Sequence, residues 1–282
     1  MVGVLGVSAS AILVRFSQAP SGVTAAYRLG WTVLLLLPVV LLRCRAELRR
    51  VTARDLVLCG ASGVLLALHF LTWFESLKRT SVASSTVLVS TEVIFTALGF
   101  ALFLHGKIPR LGVWAILLAF GGSALLALSG GGGAGELSGN LLALAAASAA
   151  AVYTLIGRIQ RGHLSTTVYT FLTYLACFLP LLLGPAAAGT PLTGYGGREW
   201  LIGLALAVLC TLLGHSLFSW CLKYLSPSYV SAAKLCEPVF SSLAAIPLFG
   251  EVPGPLQLAG GAAVLGAVLL YTWAEREKTP AG

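Results

Sequence analysis

Apolar runs of membrane-spanning length follow one another along almost all of the 282 residues, leaving no stretch for a separate water-soluble domain. We read ten of them, over residues 2–18, 23–42, 55–77, 82–104, 111–129, 139–159, 166–184, 200–222, 228–249 and 256–273. A helix needs about 20 predominantly apolar residues to cross the hydrocarbon core, whereas a barrel strand needs about half as many and alternates in polarity. The runs have helix length and no alternation, so helices are expected. Charged residues make up only 10% of the chain, against about 25% in soluble domains. An integral membrane protein follows, and nucleotide-driven motors and nucleic-acid readers with a folded head are excluded. Pro20, Pro109, Pro227 and Pro255 fall at junctions between runs, where a helix can start or stop without losing a bond. The opening run has neither a basic leader nor a small-residue cleavage site, so it is read as the first span.

The net charge of +8 reports orientation here, because Lys and Arg collect on the cytoplasmic side of membrane proteins. On the face shared with the N-terminus lie Arg43, Arg45, Arg49, Arg50, Arg54, Lys107, Arg110, Arg158, Arg161, Lys223, Arg276 and Lys278. The other face receives Arg15, Lys78, Arg79 and Arg198, with Arg28 and Lys234 inside spans. Both termini are therefore expected in the cytoplasm. The six cysteines (Cys44, Cys59, Cys177, Cys210, Cys221, Cys236) are scattered without a Cys-x-x-Cys pair or a histidine cluster. They read as packing residues rather than disulfides or metal ligands.

An internal repeat organises the chain. Tyr27 and Tyr169 are 142 residues apart, as are Pro38 and Pro180. Glu92 and Glu237 are separated by 145, as are Phe95 and Phe240, and Leu77-Lys78 and Leu222-Lys223. Gly106 and Gly250, Pro109 and Pro253, and Gly122 and Gly266 differ by 144. Two copies of a five-helix unit are expected, over 1–134 and 135–282, joined at the glycine-rich segment 130–135. Five is odd, so the copies must lie upside down relative to each other. Inverted repeats of this kind characterise secondary transporters, whose substrate sites lie near the bilayer midplane.

Polar residues inside spans are the functional candidates, because an ionised side chain at the bilayer centre costs about 2.5 to 3.5 kcal/mol on insertion scales. Glu92 lies on a polar face with Ser81, Ser85 and Thr96 in the fourth run. Its mate Glu237 follows Lys234 by three residues, a spacing for an ion pair on one helix. Glu92 has Val89 at the corresponding place, which makes it the proton-coupling candidate. The alternative is that Glu92 is held by serines or by Arg28 across the bundle. Ser62, His69, Thr72, Trp73 and Ser76 form a stripe in the third run, mirrored by Thr211, His215 and Ser219 in the eighth. A lone buried histidine is more often a core residue; two at matching positions point to a cavity wall. Tyr27 and Arg28, with His69, Trp73, Ser76, Ser85, His215 and Ser219, form the expected substrate-binding set. Glu75 is read as an interfacial pair with Lys78, Arg15 as a snorkelling cation, and the glycines Gly112, Gly121, Gly122, Gly260, Gly261 and Gly266 as close-packing positions of the fifth and tenth runs.

There is no P-loop, His-Glu-x-x-His, Gly-x-Ser-x-Gly or aspartate-rich pair. No catalytic residue, cofactor or metal is expected. The stretch Ser10-Ala-Ile-Leu-Val-Arg15, with Ala26-Tyr27-Arg28-Leu29, Leu68-His69-Phe70, Trp73, Ser76-Leu77 and Ser81-Val82-Ala83-Ser84-Ser85, resembles the first half of EamA-type members of the drug/metabolite transporter superfamily. Gly214-His215, Leu222 to Pro227, Glu237-Pro238 and Phe249-Gly250-Glu251 resemble the second half. The resemblance implies an all-α, ten-helix inverted-repeat transporter of the bacterial inner membrane. It also implies a central cavity lined by helices one to four and six to nine, with five and ten outside. Two positions depart from the family pattern: Glu92-Val93 replaces Glu-Pro or Gln-Pro, and Gly106-Lys107 replaces Gly-Glu.

The expected function is export of a small metabolite, amino-acid-like or amphipathic, by alternating access coupled to protons. The partners expected are the substrate, the lipid bilayer and the coupling proton, without nucleic acid, in a monomer or weak homodimer. An uncoupled facilitator is the nearest alternative. A membrane-embedded enzyme or receptor with a lipid-accessible cavity is the alternative from another class.

Overall fold

The computed structural model describes residues 2–103, 109–129, 134–225, 230, 234 and 236–276. Within them the chain forms α1 (Val2–Phe16), α2 (Ser21–Arg43), α3 (Arg45–Leu48), α4 (Ala53–Arg79), α5 (Val82–Val89), α6 (Glu92–Phe103), α7 (Arg110–Ser129), α8 (Ala134–Gln160) and α9 (Thr166–Ala187). The remaining elements are α10 (Gly197–Ala205), a π-helical stretch (Leu206–His215), α11 (Ser216–Cys221), α12 (Cys236–Phe249) and α13 (Pro255–Arg276). Seven segments are long and apolar enough to cross a bilayer, while Leu5–Phe16, Arg110–Leu126 and Glu237–Phe249 are shorter apolar helices. Together they overlap the ten runs read from the sequence. The chain is a multi-pass, all-helical membrane protein.

Its polarity is inverted relative to a soluble protein. Leu42, Leu128 and Leu269 are 83, 75 and 62% exposed, whereas Arg28, Ser85, Thr96 and Thr211 are fully buried. Only lipid tails make an apolar exterior favourable, and the polar groups must then find partners inside. Helix starts are fixed locally. Thr52 and Asp55 form a reciprocal capping box at the start of α4, and Ser81 and Ser165 accept from the third residue of α5 and α9. Gly250, at φ +67°, ends α12 in the left-handed conformation that glycine adopts without strain.

Two spans expected as continuous helices are interrupted. The fourth breaks at Ser90 and Thr91, between α5 and α6. Ser90 Oγ donates to the Thr86 carbonyl (2.9 Å) and Thr91 Oγ1 to that of Leu88 (2.7 Å), sharing these acceptors with the Ser90 and Thr91 amides, and such back-bonding bends helices. This break occurs without the proline that the family pattern carries after Glu92. The eighth widens into the π-helical stretch, where Thr211 Oγ1 donates to the Leu206 carbonyl five residues back (3.2 Å).

Close crossings use glycine. A Cβ at Gly63 in α4 would stand 2.5 Å from the Thr173 carbonyl of α9, and one at Gly6 would overlap the Leu209 carbonyl of the π-helical stretch. The crossing of α7 and α13 is reciprocal: a Cβ at Gly122 would lie 2.9 Å from the Gly260 carbonyl, and one at Gly260 would lie 2.9 Å from that of Gly122. Of the glycines expected to pack, Gly121 and Gly266 instead face open space. Gly122→Leu therefore forces α7 and α13 apart and should lower stability in detergent by about 1–3 kcal/mol, while Gly121→Leu leaves it unchanged; thermal unfolding followed by size-exclusion fluorescence compares the two.

Candidate functional site

The interrupted segments meet around a central cavity of about 30 Å³. Its polar wall comprises His69 and Trp73 from α4, Glu92 at the start of α6, Tyr153 from α8, His215 at the end of the π-helical stretch, and Lys234 and Glu237 at the entry to α12. Ser10 of α1 completes it, with Val7, Leu66, Val89 and Ala150 as apolar wall. That volume holds about two water molecules and no organic metabolite.

Charge inside the wall is arranged in pairs and gaps. Lys234 Nζ donates to both carboxylate oxygens of Glu92, at 3.0 and 3.1 Å, and Thr154 Oγ1 donates to Glu92 Oε1 at 2.8 Å. This corrects the expected Lys234–Glu237 pair and the reading of Glu92 as an acid without a cation. Lys234 lies in a turn before α12, with the Glu237 amide donating to its carbonyl, so the two side chains do not share a regular helical face. Among the described residues no cation lies within ion-pair distance of Glu237, and it is 8% exposed.

Arg28 is fully buried with its guanidinium 4.1 Å from the Phe70 ring centre. Nε donates to Thr211 Oγ1 (2.7 Å) and Nη1 to Ser10 Oγ (3.2 Å), whereas Nη2 has no hydrogen-bond partner among the described residues. It does not reach Glu92, so the expected alternative across the bundle is not formed. Ser10 links Arg28 directly to the cavity wall. The indole Nε1 of Trp73 is a second buried donor without a partner among the described residues. Buried donors are rarely left unsatisfied unless something else meets them. His69 Nδ1 stands 3.0 Å from the Ala146 carbonyl, which accepts only, so Nδ1 carries hydrogen and the neutral ring keeps Nε2 as an acceptor. The His69 ring stacks on Trp73 at 5.8 Å and meets His215 edge-on at 6.4 Å.

Other expected site residues lie elsewhere. Tyr27 turns away from the cavity: its hydroxyl donates to the Leu192 carbonyl (2.5 Å) and its ring stacks on Trp200 at 4.1 Å, beside a separate apolar recess of about 230 Å³. One residue is about 100° of helix, so Tyr27 and Arg28 cannot face the same way. Ser76 and Ser85 bond each other at 2.9 Å, joining α4 to α5 outside the cavity. Ser219 stands behind the wall, 3.3 Å from the Tyr153 hydroxyl. Glu75 pairs with Arg79 at 2.8 Å rather than with Lys78, which donates to the Ala19 carbonyl. Arg15 does not simply snorkel but pairs with Glu251 at 2.6 Å. Ser10 and Tyr153 escaped the sequence reading, although they stand 143 residues apart, within the spacing of the repeat.

The model of the EamA-like transporter family matches residues 1–128 and 137–273. The chain belongs to this family. It is 28% identical, over 79% of its length and 75% of the relative's, to a probable terminal-alkyne amino-acid exporter of Streptantibioticus cattleyicolor. It is 25% identical to the pseudopaline exporter CntI of Pseudomonas aeruginosa, covering 73% of this chain and 72% of that one. The threonine/homoserine exporter RhtA of Escherichia coli is 26% identical over 59% of this chain and 56% of that one. A protein of known crystal structure superimposes over 99% of this chain and 96% of its own with a TM-score of 0.68 at 20% identity, which establishes the shared fold.

Removing one member of a buried ion pair strands the other, at about 3–5 kcal/mol. Glu92→Gln and Lys234→Met should each destabilise the purified EamA protein by that order. The double variant should recover much of the loss, giving a coupling energy well above 1 kcal/mol in a thermal double-mutant cycle.

Proposed function

We propose that the protein is a secondary exporter of small zwitterionic, amino-acid-like metabolites, working by alternating access between two inverted five-helix halves, 1–134 and 135–282, with both termini in the cytoplasm of a bacterial cell. The observation that carries this reading is the polar central cavity flanked by two groups that have no ion-pair partner among the described residues: the guanidinium of Arg28, with Nη2 unbonded there, and the carboxyl of Glu237. A substrate carboxylate is met by Arg28 once Ser10 gives way, and its ammonium by Glu237. Trp73 and His69 supply a donor, an acceptor and an aromatic wall for the side chain. The exporters of amino acids among the relatives support the same class. The excess of Lys and Arg on the face of the N-terminus supports the orientation.

Proton coupling belongs to the group Glu92, Lys234 and Glu237. Because Lys234 is engaged by Glu92, Glu237 is the carboxyl left to exchange a proton, or a substrate ammonium, with the cavity. A second reading, uncoupled facilitation, is favoured by the same ion pair, since it gives Glu92 a structural role.

Liposomes containing the purified protein and a mixed pool of amino acids, nucleosides and drugs, with and without a pH gradient, separate these readings by mass spectrometry of what leaves. Gradient-driven loss of amino acids is expected, and Glu237→Gln should abolish the response to the gradient while leaving exchange between identical pools. If the variant still follows the gradient, Glu237 is not the coupling group; if the parent ignores it, the facilitator reading stands. Arg28→Lys, which loses the planar fork, should raise the half-saturating concentration of a carboxylate substrate by about tenfold.

A further inference from the structure

Arg15 does more than anchor the end of α1. Its Nη1 donates to the carbonyls of Leu77 and, at 3.4 Å, Thr80, the acceptors left free at the C-terminus of α4. Its Nη2 pairs with Glu251 Oε1 at 2.6 Å, and Glu251 Oε2 accepts from the Val82 amide at 2.7 Å, the first residue of α5. One arginine and one carboxylate thus tie together α1, the junction of α4 and α5, and the junction of α12 and α13. Phe16 and Phe249 close over the pair, with ring centres 5.0 Å apart.

The same device recurs at the other end of the molecule. Arg158 of α8 stands 143 residues after Arg15, and its Nη1 donates to the carbonyls of Leu222 (2.5 Å) and Leu225 (3.5 Å), each 145 residues after Leu77 and Thr80. The difference is the anion. Among the described residues no carboxylate lies within ion-pair distance of Arg158, and the position matching Glu251 in the first half of the sequence is Lys107. Arg158 is exposed, whereas Arg15 and Glu251 are partly shielded, with side chains 29 and 18% accessible.

We propose that Arg15 and Arg158 are the gate latches of the two faces, and that Glu251 makes the Arg15 latch the stronger, so that the empty carrier rests closed on that face. Under the orientation given above this is the outer face, and the carrier then waits with its site available to the cytoplasm, where an exporter loads. The inference rests on the alternating-access reading of the preceding subsection.

The test places a reporter in the cavity wall, Ala150→Cys, in oriented membrane vesicles. Labelling by a membrane-impermeant maleimide added to one face at a time is read at that site by peptide mass spectrometry, with the six native cysteines retained. Glu251→Gln should raise labelling from the Arg15 face by about fivefold, the upper range for a partly exposed ion pair, and lower it from the Arg158 face. Arg158→Gln should do the reverse. Opposite signs are the signature, since general loosening would raise labelling from both faces. Labelling from both faces that neither variant shifts, or that both raise together, overturns the latches and leaves the transport reading intact. A reporter reached from one face only, in the parent and in every variant, overturns alternating access and the latches with it.

Discussion

Water is missing from the hydrocarbon interior, and each polar group that enters it must bring its partner. That constraint explains why every described span is helical, why the exterior is leucine, and why the interior holds Arg28, Glu92, Lys234 and Glu237. It also explains where the backbone departs from the α-helix. The break at Ser90 and Thr91, the π-helical stretch and the turn at Lys234 all lie against the central cavity. Irregular backbone is tolerated at membrane depth only where protein or a cavity receives the freed groups.

The same contacts occur at both ends of the molecule. Asp55, at the start of α4, accepts from Gln160 (3.3 Å) and stands 2.6 Å from His163 Nε2, gathering the turn after α8. Glu199, 144 residues later at the start of α10, accepts from Ser17 Oγ (2.6 Å) and the Gln18 amide (3.1 Å), gathering the turn after α1. An acid at the first turn of a helix is favoured by the local dipole and by free amide donors. Each acid fastens the residue segment that follows the first span of the opposite half. Such reciprocity is what a duplicated unit packed against its own copy produces, and it supports the inverted halves proposed above.

The apolar runs, the offset of the repeat and the histidine pair were legible in the sequence because each depends on composition or spacing along one helix. His69, Trp73 and His215 accordingly stand at the cavity. What was not legible depends on contacts between helices or on departures from helical geometry. The Lys234–Glu237 pair presumed an unbroken helix where the chain turns. Glu92 looked cationless because its partner comes from 142 residues away. Tyr27 and Arg28, adjacent in sequence, had to part by helical geometry alone. The serine pair Ser76 and Ser85 satisfies itself, which no single-helix pattern reveals.

The two halves share several backbone contacts but differ in their charges, and in the proposed carrier the second property gives the directionality. A perfectly symmetric carrier would have no preferred resting face. Among the described residues, Glu237 lacks the cation that Glu92 has, and Arg158 lacks the carboxylate that Arg15 has. The first asymmetry involves a buried carboxyl that hydrocarbon penalises, so a single substitution of charge there weighs more than many apolar ones. Under the alternating access proposed above, duplication would supply two interchangeable conformations, and the unequal placement of a few charged side chains would make them unequal in energy.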